Sequence, residues 1–167
     1  MSKRQVQVGT NINVGINETP YATGWVQNYF VAPDLGGATT RAHVSAAVNW
    51  KGVFAGNGVL GTKAAVDITL KVIDEVSGST LATREVHSKE IQESALTIGG
   101  FDDVGDATAD FNADLVPGKQ YMIRMEASCE ARSGVLAAST WCVFGKSDAF
   151  DEGYVRWSEL SITFSPN

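Results

Sequence analysis

Residues 115–145 read LVPGKQYMIRMEASCEARSGVLAASTWCVFG and contain both cysteines of the chain. From Tyr121 to Cys129 apolar side chains recur at every second position, and most of the intervening positions are polar or charged. This alternation predicts a β-strand with one buried face. Pro117-Gly118 predicts a turn just before it, because proline fixes φ and glycine tolerates positive φ. We therefore expect a corner, a strand, a turn and a returning strand.

The run over residues 115–127, in which Pro117-Gly118 is followed by Tyr121, resembles the E–F corner of fibronectin type III and immunoglobulin-like β-sandwiches. In such domains a tyrosine near the start of strand F directs its hydroxyl back to the upstream backbone. The resemblance implies a sandwich with a tyrosine corner at Tyr121. It implies no particular function, since these sandwiches host many unrelated ones. An ordinary turn before a strand is the alternative.

The two cysteines leave two alternatives open. A tight turn at Arg132-Ser133-Gly134 would offset Cys129 from Cys142 by about four residues, or roughly 13 Å along a strand. That offset is too long for a disulfide, which needs Cα atoms within about 7 Å. A longer loop centred between Val135 and Leu136 would bring the cysteines face to face. The pair is therefore either a disulfide or two buried free thiols.

The rest of the chain predicts an all-β fold with little or no helix. We expect a single antiparallel β-sandwich domain over residues 1–167, with eight to ten strands and possible jelly-roll topology. Residues 40–51 and 63–74 alternate and flank Asn57-Gly58, a strong hairpin signal, so they predict a long antiparallel hairpin. Residues 11–23 and 99–110 are interpreted as loops. A change of apolar phase predicts a β-bulge near Ser158-Glu159 in the last strand.

Composition excludes some classes of partner. The chain has 167 residues, a formal net charge of −6 and a pI of about 4.8, which argues against a nucleic-acid partner. No signal peptide is visible, and no apolar run approaches the ~20 residues of a transmembrane helix. The compartment stays open: the chain is expected to be cytoplasmic at synthesis, with non-classical release as a further route.

Catalytic motifs are missing from the sequence. The two histidines, His43 and His87, lie in predicted strands without neighbouring ligand patterns. There is no zinc-ligand spacing, nucleophile elbow or phosphate-binding glycine loop. We therefore expect a protein that is not an enzyme and needs no organic cofactor.

The sequence suggests two further sites. Asp102, Asp103, Asp106 and Asp110 supply oxygen ligands that suit calcium, with a solvated acidic loop as the alternative. The predicted hairpin tip carries the apolar residues Val53, Phe54, Val59 and Leu60. A hairpin of this length could cross a membrane in a pore-forming, insecticidal-type toxin component. The alternative is a hairpin within the sandwich core.

The tryptophans suggest the favoured function. Trp50 and Trp157 are in phase with apolar neighbours and are expected in the core. Trp25 and Trp141 are candidates for an aromatic platform that stacks on sugars, and Trp141 is expected on the strand face opposite Cys142. We expect a binding module for a glycan or cell surface. The alternative is a self-assembling protein, either a toxin component or an oligomeric structural subunit, and homo-oligomers are compatible with both.

Overall fold

The computed structural model describes residues 4–15, 19–56, 61–92, 101–134, 138–145 and 153–167. Within these ranges the chain forms ten strands and no helix, so the all-β prediction is confirmed. The strands are β1 (Arg4–Val6), β2 (Val8–Gly15), β3 (Tyr21–Val31), β4 (Thr40–Gly56), β5 (Lys63–Asp74), β6 (Thr80–Gln92), β7 (Phe101–Leu115), β8 (Gln120–Arg132), β9 (Ala138–Phe144) and β10 (Tyr154–Pro166). A helix long and apolar enough to cross a membrane is not found in the described ranges.

The strands form two antiparallel sheets. One sheet has the order β1-β10-β4-β9-β2, with β7 on the other side of β4, and the second has the order β3-β8-β5-β6. Strand β10 pairs with Thr40–Lys51 of β4 and β9 pairs with Val53–Gly56, so β9 and β10 continue one line beside β4. Strands β1 and β2 likewise follow β10 and β9. Each sheet is therefore four strand lines wide.

The pairing of these lines is nested. The β1/β2 line pairs with the β9/β10 line, β3 with β8, β4 with β7, and β5 with β6. The first strand line in the chain pairs with the last, the second with the second to last, and so on inward to β5 and β6, which are joined by a turn. This is the wrapping of a jelly roll, which confirms that predicted topology. It differs from the immunoglobulin arrangement, so the resemblance to that family holds for the sandwich architecture alone.

Strand β4 shows how alternation forms the core. Between Thr40 and Trp50 every second side chain is buried, and the side chains between them are half-buried or exposed. Apart from Trp50, the inward row is made of small and β-branched residues, and it packs against the inward row of the other sheet. The largest fully buried side chains come from both sheets: Tyr121, Phe54, Phe144, Ile68, Leu70, Leu115, Ile123 and Met125.

The predicted tyrosine corner is present. The Val116 N–H donates a hydrogen bond to the Tyr121 hydroxyl oxygen at 2.9 Å, and the hydroxyl lies 3.4 Å from the Val116 carbonyl oxygen. Gly118 has a φ of 77°, as the Pro117-Gly118 turn requires. The Gly118 N–H donates to the Ala32 carbonyl at 2.8 Å, which ties the corner to the end of β3.

The predicted hairpin of residues 40–51 and 63–74 is wrong. Strand β4 belongs to the six-stranded sheet and β5 to the four-stranded sheet, so the chain crosses between sheets here. Residues 57–60, which carry the Asn-Gly signal, lie outside the described residues. Among the described strands, the pair adjacent in sequence that hydrogen-bonds is β5 and β6, joined by the predicted turn at Ser77-Gly78.

Cys129 and Cys142 are joined by a disulfide that connects the two sheets. Cys129 lies on β8 and Cys142 on β9, and both side chains are fully buried. The Cα atoms are 5.6 Å apart. The strand that returns after β8 thus enters the opposite sheet, where it does not form the expected hairpin with β8.

Three further local predictions have outcomes. The register of β10 on β4 shifts between Trp157 and Glu159, which confirms the predicted bulge. Residues 11–15, interpreted as loop, belong to β2. Residues 101–110, also interpreted as loop, belong to β7, which is hydrogen-bonded to β4 along its length.

Candidate functional site

The four tryptophans divide as the sequence suggested, but the two candidates do not share a site. Trp50 and Trp157 are buried in the core. Trp25 lies on the outer face of the four-stranded sheet and is 54% exposed. Trp141 is half-buried and alternates with the buried Thr140 and Cys142, which places it on the outer face of the other sheet. The sandwich therefore separates Trp25 from Trp141, and they cannot contact one ligand together.

Trp25 is the centre of an exposed aromatic row, the β3 platform, formed by Tyr21, Trp25 and Tyr29. The two tyrosines are 62% and 52% exposed. Three of the four exposed aromatic side chains in the described residues belong to this row, the fourth being Phe101. The register of β3 on β8 is unbroken, so residues four apart point to the same side. An exposed row of large rings on a sheet face typically marks an interaction surface.

Side-chain contacts within β3 and from β8 hold two rings of the β3 platform, Trp25 and Tyr29, in place. The Gln27 side-chain amide donates to the Tyr29 hydroxyl at 2.7 Å. Arg124 donates from Nε to the Gln27 Oε1 at 3.1 Å, and its guanidinium lies 5.3 Å from the centroid of the Trp25 ring. Arg124 therefore contacts one ring by a cation–π interaction and orients the other through Gln27. This linkage reduces the conformational entropy that the rings would lose on binding.

Ion pairs surround the β3 platform on the same sheet face. Lys71 and Glu126 are 2.7 Å apart, and Glu126 is the direct cross-strand neighbour of Trp25. Lys63 contacts Glu90 at 3.0 Å and Glu130 at 3.2 Å, which is the cross-strand neighbour of Tyr21. The Glu90 carboxyl has a lowered pKa because of hydrogen bonds from Gln92 and Lys63. The rings thus lie among hydrogen-bonding groups whose charges are already matched.

The four candidate calcium ligands do not come together. They lie along β7 on both of its faces: Asp102, Asp106 and Asp110 point outward and Asp103 points inward. Asp102 and Asp110 are eight residues apart, which is about 26 Å along a strand. Within the described residues no group of three or more His, Cys, Asp or Glu side chains could hold a metal ion. The outward carboxylates instead give the edge strand β7 a charged face, a feature that opposes edge-to-edge pairing.

The candidate membrane tip is not an exposed apolar tip in its described part. Phe54 is fully buried, and its ring lies 5.8 Å from that of Phe144. Val53 is half-buried and lies between Asp102 and Val143 in the sheet. Val59 and Leu60 lie outside the described residues. The hypothesis of a membrane-crossing hairpin loses its physical basis in this fold, because the two arms of the predicted hairpin belong to different sheets.

Sequence reasoning found Trp25 and missed the rest of the β3 platform. Tyr21 and Tyr29 share the parity of Trp25, so a spacing of four along one strand was the signal available. The interpretation of residues 11–23 as loop leaves Tyr21 outside the strand and hides this spacing. Arg124 and Gln27 become part of the site only through the pairing of β3 with β8, and neighbouring residues in sequence do not indicate that pairing.

No protein-family model and no curated protein matches the chain. Among solved structures, similarity is found to the infectious bursal disease virus VP2 subviral particle, with 16% identity, a TM-score of 0.24, and coverage of 83% of this chain and 39% of that one. Another is the Clostridium thermocellum N-terminal endo-1,4-β-D-xylanase 10B CBM22-1–GH10 structure complexed with xylohexaose, with 12% identity, a TM-score of 0.25, and coverage of 88% and 29%. The chain spans about two fifths or less of these proteins, and at such TM-scores the likeness carries no functional argument.

Proposed function

We propose that this protein is a non-enzymatic carbohydrate-binding module whose glycan lies on the β3 platform. The observation that carries the proposal is the row of Tyr21, Trp25 and Tyr29, exposed on one sheet face, with polar partners on Trp25 and Tyr29. The negative face of an aromatic ring attracts the C–H groups on the apolar face of a sugar ring. Polar side chains beside the rings supply donors and acceptors for the sugar hydroxyls.

The second candidate, an oligomeric structural subunit, would use the same exposed rings as a contact between copies. Large exposed apolar groups are compatible with such an interface. The centre of a protein interface is, however, depleted in lysine and glutamate. The β3 platform has the ion pair of Glu126 and Lys71 beside Trp25. Burying these groups against a second protein surface would carry a desolvation cost, whereas a hydrated sugar leaves them in contact with hydroxyls and water.

The proposal is tested with a glycan array followed by isothermal titration calorimetry on the best binder. Trp25→Ala is expected to weaken binding by about 30-fold or more, the effect of removing a central tryptophan anchor. Two other aromatic side chains provide matched controls. Trp141→Ala alters the outer face of the other sheet, and Phe101→Ala removes an exposed ring from β7; both variants are expected to bind like the unaltered chain.

Thermal unfolding of each variant separates lost binding from lost folding. An array without any binder would contradict the proposal. Loss of binding in Trp141→Ala with retention in Trp25→Ala would move the site to the opposite face and equally overturn it. Light scattering coupled to size-exclusion chromatography tests the second candidate. The structural subunit would be favoured if the array showed no binding and the chain formed an oligomer that dissociated in the Trp25→Ala variant.

A further inference from the structure

We propose, resting on the carbohydrate-binding function above, that the ligand is a linear, uncharged polysaccharide that lies along β3 and is bound through an internal segment. The first observation is the spacing of the rings. Successive rings of the β3 platform are four residues apart, so their Cα atoms are about 13 Å apart and the outer two about 26 Å apart. A single sugar ring is smaller than the distance between neighbouring aromatic rings. Contact with all three rings therefore requires a chain of several sugars.

The second observation is the order of groups along the strand. On the outer face of β3, Thr23 and Gln27 lie between the three aromatic residues, so rings and polar groups alternate in one line. Their cross-strand neighbours on β8 are the polar residues Ser128 and Arg124. An extended polysaccharide repeats apolar ring faces and hydroxyl-bearing edges along its length. The alternation on β3 matches such a repeat and would not match a compact, branched terminus.

The third observation is the openness of the surface. All three aromatic residues are more than half exposed. They therefore lie on an open sheet face and not in a pocket, which would have buried them. Recognition of a chain end needs a cavity that surrounds most of the terminal group. Within the described residues, the 54% exposed Trp25, the central ring, has no such wall around it. The open face accepts a chain that continues beyond the protein in both directions.

The fourth observation is the charge of this face. In the described strands, four cations share this face with five carboxylates: Lys63, Lys71, Arg124 and Arg132 against Asp67, Glu85, Glu90, Glu126 and Glu130. The two lysines are already in ion pairs, and the whole chain has a formal net charge of −6. A polyanionic glycan would find no excess of positive charge and would be repelled at long range. An uncharged chain avoids both costs.

The test uses the whole chain and soluble xylo-, cello- and manno-oligosaccharides of increasing length, with polygalacturonate as the charged probe. In the series that binds, affinity is expected to rise with length until the oligosaccharide reaches all three rings. Tyr21→Ala and Tyr29→Ala are each expected to lower the affinity for the longest oligosaccharide by about 2- to 12-fold, the contribution of one aromatic contact. The same variants are expected to leave the shortest detectable oligosaccharide unaffected when it contacts Trp25 alone.

Stoichiometry distinguishes internal from terminal binding. With a polymer of known length, calorimetry is expected to give several protein molecules per chain, whereas recognition of an end would give one. Affinity that is flat with length, one protein per polymer, or preference for polygalacturonate would each overturn this inference. If Trp25→Ala still abolished binding in those cases, the carbohydrate-binding function itself would stand. Absence of binding to any probe and to the array would overturn both.

Discussion

His87 on β6 and Asp103 on β7 join the two sheets at one edge of the sandwich, with 2.7 Å between Nε2 and Oδ2. Lys89 lies 3.1 Å from the other carboxylate oxygen, so both oxygens of Asp103 are bonded. The Trp50 ring stacks on the imidazole, with centroids 4.3 Å apart. Strands β6 and β7 are edge strands of different sheets, and these contacts close the gap between them. The only inward carboxylate among the four calcium candidates is therefore a structural clamp.

Asp103→Asn is expected to destabilise the fold by about 3 kcal/mol, the lower end of the cost of breaking a buried ion pair. The substitution removes the negative charge that faces His87 and Lys89, and Lys89 is partly exposed, which limits the penalty. Urea unfolding at neutral pH measures the effect. Asp106→Asn, on the outward face of the same strand, is the matched control and is expected within about 0.5 kcal/mol of the unaltered chain.

The same clamp predicts a loss of stability in acid. Burial alone would raise the pKa of Asp103, but hydrogen bonds from His87 and Lys89 outweigh it and hold this pKa below its ordinary 3.8. A carboxyl whose pKa is lower in the folded state stabilises the fold above its unfolded pKa and loses that effect as the pH falls through the folded pKa. The free energy of unfolding is therefore expected to decrease as the pH is lowered below about 4.

Urea titrations at a series of pH values check this, with Asp103→Asn as the comparison. Asp74, Glu90 and Asp114 also have lowered pKa values and remain in both proteins, so the variant should retain part of the slope. The difference between the two curves is expected to shrink as the pH falls. Curves that stay parallel down to pH 2 would show that Asp103 does not contribute.

Cys129→Ala/Cys142→Ala is expected to lower stability by about 3 kcal/mol, because the bridge closes a loop of 13 residues and restricts the unfolded chain. The measurement is the urea midpoint of the double variant against the oxidised protein. A thiol assay on the denatured, unreduced protein is the independent check. Two reactive thiols per chain in that assay would contradict the bridge.

Tyr121→Phe is expected to cost about 1 kcal/mol, since it keeps the buried ring and removes only the hydroxyl bonded to Val116. Tyr154→Phe, on a half-buried ring, is the control and is expected to change stability by less than about 0.5 kcal/mol. Equal effects in the two variants would mean that the tyrosine corner contributes nothing measurable to this fold.

The sequence predicted most strands and failed on how some of them pair, for a physical reason. Alternation reports that a strand has one buried face. Strands β4 and β5 have that face whether they lie side by side in one sheet or belong to the two sheets that pack across the core. The Asn57-Gly58 signal favoured the first arrangement, and the structure has the second. The same holds for Cys129 and Cys142. Both predicted turn geometries place the two cysteines on neighbouring strands of one sheet, whereas the disulfide joins strands of two sheets.

The candidate site was predicted in part for a related reason. Parity places Trp25, Tyr21 and Tyr29 together, but it does not say which parity faces water. That assignment needs the neighbouring strand β8, whose inward row is Tyr121, Ile123 and Met125. The four aspartates of residues 99–110 indicated an acidic loop, but from Phe101 onward these residues form β7, and Asp103 is buried there. Its partners, His87 and Lys89, are on a strand of the other sheet, so no local pattern could reveal them.

Gly24→Ala is expected to destabilise the fold and to disturb the neighbouring platform. A Cβ at Gly24 would lie 2.5 Å from Cγ2 of Val6 and 3.1 Å from the Gln7 carbonyl oxygen. Strands β1 and β3 belong to different sheets, so the missing side chain lets the sheets approach at this edge. Overpacking here is expected to cost about 1–3 kcal/mol in urea unfolding. Glycan affinity should fall as well, though less than in Trp25→Ala.

Gly9→Ala provides the matched comparison on β2. A Cβ there would meet the Cys142 carbonyl oxygen at 3.4 Å and Val143 at 3.5 Å, close to ordinary van der Waals distances. We therefore expect a smaller loss of stability and unchanged glycan affinity. If both alanine variants lost the same stability, the general cost of a side chain in these strands would explain the result. That result would contradict the inference that the missing side chain at Gly24 lets the two sheets approach each other beside Trp25.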